Sequence, residues 1–159
     1  MVNLIDLTNA MADALRRIPQ LVADLDPATT ASVIAYIDEH PATNSLSAAV
    51  YGQKPGTVLI GWVGTVLTET ENLAGYDHAL TIFIRAKRGE SPYALVDDIM
   101  NGIPDPGDGM PWLFCPLLPG LLPTTVPEIP RQTDEEGIDH ITIQTHTQEL
   151  GEVPRWRQR

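Results

Sequence analysis

The sequence predicts an α+β fold, a mostly antiparallel sheet with two helices packed on one face, and three observations lead there. The segment from Thr57 to Val66 places Val58, Ile60 and Trp62 on one side of a strand and Leu59 and Val63 on the other. Neither face is polar enough for water, as in a central strand. From Asp77 to Arg88, Leu80, Ile82 and Ile84 alternate with Thr81, Phe83 and Arg85 at the two-residue period of a sheet, which supplies a partner strand. Outside this pair lie two apolar stripes at helical spacing, one early in the chain and one after Ser91.

In order along the chain, Asn3 can cap a first helix, with Asp6 near the positive end of its dipole and Val2 able to staple onto Leu7. Leu4, Leu7, Met11, Leu15 and Ile18 form its buried stripe, and Pro19 breaks it. A polar link from Asp24 to Thr30 leads to a β-rich segment, Ala31 to Ile37, read as an edge strand. Ser45 to Tyr51 forms a short helix, and Lys54-Pro55-Gly56 turns into the central strand. Thr68 to Gly75 is a solvent-facing loop or the tip of a long hairpin. Ser91-Pro92 starts a second long helix, with Leu95, Val96, Ile99 and Ile103 on its apolar side. Ile138 to Leu150 closes the sheet, with His140, Thr142, Gln144 and His146 on one face and Ile141, Ile143 and Thr145 on the other. Residues 1–150 thus make one α+β domain, followed by a basic tail, 151–159.

Within that domain, residues 102–134 form a proline-rich arm. Eight of the 14 prolines fall there, which nearly excludes long regular structure. Its apolar side chains argue against disorder, and connections this far beyond the usual length of about 4–6 residues are usually functional. Trp112, Phe114, Leu117, Leu118, Leu121 and Leu122 are therefore the candidate interface, set on a segment whose prolines limit the entropy lost on docking. The alternative is that the arm folds back over its own sheet.

The formal net charge of -11 disfavours tight nucleic-acid binding, which draws on Lys and Arg to displace counterions. Acidity instead favours solubility. A single cysteine, Cys115, has no partner for an internal disulfide or a CxxC pair, fits a reducing cytosol, and has no charged neighbour to activate it; a buried, inert thiol is expected. There is no secretory signal pattern and no apolar run of about 20 residues to span a membrane.

The search for chemistry is empty: no Walker loop, GxSxG elbow, GxGxxG or HExxH occurs. His140 and His146 would stand roughly 20 Å apart on one strand, too far for one metal ion. His78 and His40 read as exposed histidines. Asp97 and Asp98 diverge by about 100° on a helix, and Asp105 to Asp108 reads as a turn. Gly61 and Gly64 suggest a bulge, a bend or close packing against the first helix. No catalytic, cofactor or metal residues are assigned.

Taken together, NLIDLTNAMADALRRI, the pair VLIGWVGT and YDHALTIFIRAK, the helix SPYALVDDIMNGIP and the closing IPRQTDEEGIDHITIQTHTQELGE make the chain resemble the tail terminator, or tail completion, proteins of long-tailed bacteriophages. The resemblance is one of pattern and spacing over most of the chain. It implies a virion protein, assembled in the host cytoplasm, that forms a hexameric homo-oligomeric ring at the head-proximal end of the tail. The ring would contact the major tail tube protein, stop its polymerisation, and join the tail to the head connector while genomic DNA passes without specific binding. The family has no catalytic residues to carry over. Two other readings stand beside it: another neck component, such as a connector or stopper ring, and a small-molecule-binding α+β domain.

Overall fold

The computed structural model describes residues 1–25, 32–37, 45–69, 73–104, 109–133 and 139–152. Among these, six strands form one mixed sheet accompanied by four α-helices, so the α+β class holds. The turns expected at Asp105 to Asp108 and Asp134 to Gly137, together with His40, Glu71 and the tail from Val153, lie outside the described residues.

Helix α1 (Leu4–Arg16) starts as read. Asn3 Oδ1 accepts from the N–H groups of Ile5 and Asp6 at 2.9 and 3.1 Å, satisfying donors that the first turn leaves free. Leu7, Met11 and Leu15 are fully buried, and Ile18 continues their stripe beyond the helix. Pro19 ends α1 but does not open a plain link. It occupies the first position of a second helix, α2 (Pro19–Asp24), where a missing N–H has no cost, and Leu21 and Leu25 enter the core. Strand β1 (Val33–Ala35) is shorter than the sequence suggests and runs parallel to its neighbour, at the sheet edge.

Helix α3 (Leu46–Tyr51) is capped by Ser45, whose Oγ accepts from Ala48 N–H at 3.1 Å. It packs where Gly61 leaves room: a Cβ there would stand 2.5 Å from Leu46 Cδ1. The close approach at Gly61 is therefore made by α3, not by α1. Strands β2 (Thr57–Glu69) and β3 (Leu73–Arg85) are thirteen residues each and form an antiparallel hairpin, so the strand pair reaches further toward its tip than the sequence indicated. One extra residue, Val63, sits between the pairs Trp62↔Leu80 and Gly64↔Ala79. This bulge moves the side chains facing the helices from even to odd positions of β2.

Helix α4 (Tyr93–Met100) begins one residue after Pro92, with Ser91 Oγ accepting from Tyr93 N–H at 3.3 Å. Leu95 and Ile99 face the core, whereas Ile103 is exposed. Two short strands, β4 (Thr125–Glu128) and β5 (Arg131–Thr133), lie along the outer edge of the closing strand β6 (Asp139–Glu152), which itself pairs with β3 over its whole length. The sheet order is β1-β2-β3-β6-β4, with β5 also on β6.

Register sorts the side chains facing α1 and α4 into rows across the three long strands. Val58, Ile84 and Ile141 form one row, and Ile60, Ile82 and Ile143 the next; all six are buried. Each fully buried aliphatic side chain contributes roughly 1.5–3 kcal/mol gross, before chain entropy is subtracted. Further along, the rows become Leu80 with Thr145, then Thr65, His78 and Thr147. The core turns polar halfway along its own sheet.

Candidate interaction surface

The six arm residues do not share one surface. Trp112 is 2% exposed, and its indole N–H donates to the Ile99 carbonyl at 2.7 Å, which ties the arm to the end of α4. Leu121 is also buried, bridging to Glu149 on β6. Leu117 and Leu118 are half-buried against the core. Only Phe114, at 67% exposure, and Leu122 face outward. Proline-interrupted backbone cannot use up its apolar side chains in regular packing, so the arm instead lays some of them over the subunit's own core. Four of the six thus belong wholly or partly to the monomer.

A second group of exposed apolar side chains lies where the sequence gave no separate candidate, on the half of the β2–β3 hairpin toward its tip. Trp62, Val63, Val66, Leu67 and, on β6, Leu150 are exposed there, Val66 at 63%; by register Trp62 and Leu67 share the face of His78, and Val66 and Leu150 lie on the other. Inside this same half the buried groups are polar. His78 is fully buried, contrary to its reading as an exposed histidine. Its Nδ1 lies 2.9 Å from Thr65 Oγ1, which also accepts from the Trp62 indole N–H at 3.0 Å; its Nε2 lies 2.9 Å from Glu149 Oε2. Thr124 and Thr147 share a hydrogen bond at 2.9 Å, and Thr145 donates to the Leu80 carbonyl at 2.7 Å. Burial works to raise the Glu149 pKa, but the Val2 N–H at 2.8 Å, His78 and the nearby Met1 amino group outweigh it and hold the carboxyl below its ordinary range. Every ring nitrogen of His78 is satisfied, which is what allows an imidazole to be buried.

On the face away from α1, His146 Nδ1 lies 3.0 Å from Asp77 Oδ2, both groups partly exposed. At the α2–α4 contact, Asp98 has a pKa pushed up to about 7, first by burial, then by a hydrogen bond to and the charge of Asp24, and last by Asp97. Asp97 and Asp98 also line a shallow recess of about 320 Å³ with Gln20 and Asn101. A narrower cleft of about 160 Å³ runs between α1 and the arm, lined by Ala10, Ala14, Arg17, Trp112, Cys115 and Leu117. Cys115 is exposed rather than buried, because the single 3-10 turn Trp112–Phe114 points Trp112 inward and carries the next residues out. Among the described residues, no three or more His, Cys, Asp or Glu side chains are grouped to hold a metal ion, and no helix is long and apolar enough to cross a membrane.

What the arrangement can do chemically is present apolar side chains and strand backbone to another macromolecule. The signal for it was present in the sequence, since residues 57–68 carry no charge and are apolar at both parities. The buried network could not be read the same way, because Glu149 is 71 residues from His78. No protein-family model matches this chain, and no curated protein matches it.

Proposed function

We propose that the chain is a structural subunit of a long-tailed phage, forming a ring at the head-proximal end of the tail tube that ends tube growth and joins the tail to the head connector. One observation carries the reading on the physical side: in the half of the sheet toward the hairpin tip the buried groups include His78, Thr145 and Thr147, while large apolar side chains stay exposed on both faces, Trp62 and Leu67 on the face of His78 and Val66 and Leu150 on the other. Exposed apolar side chains gathered on one element of a soluble protein point to interaction. Phe114 and its exposed arm neighbour Met110 supply a second apolar surface on a different element. Two unlike surfaces on one subunit are what head-to-tail contacts around a ring require.

The test is electron microscopy of phage particles assembled without this chain. Tubes of irregular length that fail to join heads are the expected result. Tails of normal length attached to heads would overturn the proposal, and labelled protein found on the portal side would replace it with a connector or stopper ring.

A further inference from the structure

We infer that the edge of β2 beyond Ile60, which no described strand occupies, pairs with the same edge of a second copy, forming a two-fold dimer through an antiparallel β2–β2 contact centred on Val66. The inference stands apart from the phage reading, because a two-fold contact closes on itself and cannot by itself build a ring.

The two edges of the sheet are treated differently. Along β6, the outer edge is occupied by β4 and β5, and Pro123, Pro127 and Pro130 punctuate that segment, removing donors from it. Along β2, among the described residues, β1 pairs with Val58, Leu59 and Ile60. Beyond Ile60, no described strand lies on the outer side of β2. The Ile60 carbonyl accepts from Tyr36 N–H at 2.8 Å, so its backbone groups face outward. Alternation, corrected for the extra residue at Val63, then turns the N–H and C=O groups of Thr65 and Leu67 outward as well. An edge with apolar side chains that no described strand covers is a template for strand addition.

Charge selects a second copy as the occupant. In a chain of net charge -11, two copies repel unless they meet where neither carries carboxylates, and residues 57–68 are such a strip. Pairing about Val66 uses the outward groups of Thr65 against those of the partner's Leu67, twice. It also sets Val66 directly against the partner's Val66 in a non-hydrogen-bonded pair, where Cα atoms approach to about 4.5 Å. No charged residue opposes another within that strip.

Sedimentation of the whole protein tests this, with cross-linking as an independent arm. Wild type should appear as a dimer at concentrations up to about 200 µM, where micromolar affinity would be visible. Leu67→Pro, which removes one outward donor and leaves the β3-facing groups alone, should be monomeric with an unchanged thermal midpoint. In a Cys115→Ser background, Val66→Cys should oxidise to a covalent dimer at least tenfold faster than Thr68→Cys, whose sulfurs would sit too far apart across the pair. Should Leu67→Pro fail to fold, the cross-linking comparison decides alone. A strictly monomeric wild type, or equal cross-linking at both positions, would overturn the inference. A larger ring lost in Leu67→Pro, without selective cross-linking at Val66, would also overturn the two-fold pairing while leaving the ring proposal standing.

Discussion

The half of the sheet around Ile60 and Ile82 and the half around His78 are built from the same three strands and bury different chemistry. In the first half, the rows Val58-Ile84-Ile141 and Ile60-Ile82-Ile143 are buried. In the second half, hydrogen-bonded His78, Thr145 and Thr147 are buried, and Trp62, Val66, Leu67 and Leu150 are exposed, two on each face of the sheet. Burying a polar group yields little net stability even when every partner is present, whereas burying isoleucine yields a good deal. The difference teaches that the first half holds the monomer together, and the second is tolerated because the first is sufficient.

The largest test of this contrast is truncation on either side of it. Ile82→Ala should cost about 2–5 kcal/mol in denaturant unfolding, because a packed row loses its centre and leaves a cavity. Val66→Ala, equally apolar but 63% exposed, should stay within about 0.5 kcal/mol of wild type. Equal losses at both positions would erase the distinction.

The arm can be divided in the same way by two adjacent leucines. Leu121→Ser should destabilise the isolated subunit by about 2–5 kcal/mol, since Leu121 is buried, and Leu122→Ser should leave its melting temperature almost unchanged. If Leu122→Ser nevertheless abolishes assembly, its role is at an interface.

Gly102 offers a sharper constraint. An added Cβ would stand 2.6 Å from the Asp98 carbonyl oxygen and 2.3 Å from Ile18 Cδ1, so Gly102→Ala should cost about 1–3 kcal/mol by thermal unfolding.

The smallest effects are in pH. Glu149 has a lowered pKa in the folded protein, so its contribution is present above the unfolded carboxylate range and is lost as pH falls through the folded value. Glu149→Gln should flatten the acid limb of a stability profile. Asp98 behaves oppositely. With a folded pKa of about 7, its burial costs more as pH rises from about 4 toward 7, and the cost stays constant above that. Asp98→Asn should raise the melting temperature at pH 8 more than at pH 4, and the reverse order would refute the carboxyl pair with Asp24.

Much of the fold was legible because its signals are local. The Asn3 cap, the alternation of Ile82 and Ile84, and the Ser91-Pro92 helix start are all fixed within a few residues. What was missed depends on distant partners. His78 beside Asp77 reads as surface until Glu149 arrives from β6, and Trp112 reads as an interface residue until the Ile99 carbonyl is seen beneath its indole. The parallel pairing of β1 was hidden too, because a three-residue strand carries no directional pattern. The exposed hairpin surface was half legible: apolar residues at both parities of β2 implied a need for cover on both sides. That the cover stops partway along the strand is a fact of helix placement, which periodicity does not encode.

The position of β3 at the centre of the sheet has a consequence for how the chain comes into being. Its pairing with β2 is made across a short hairpin, but its pairing with β6 must wait for residues 86 to 138 to be synthesised. At about 5–20 residues per second the wait lasts seconds, far longer than the microseconds a hairpin needs to form. Throughout that interval the nascent protein carries Ile82 and Ile84 on a strand with one side open, so its most vulnerable moment is on the ribosome, before β6 emerges. A truncation ending at Thr133 should accordingly aggregate or remain bound to chaperones, whereas the chain carried through Glu152 should not.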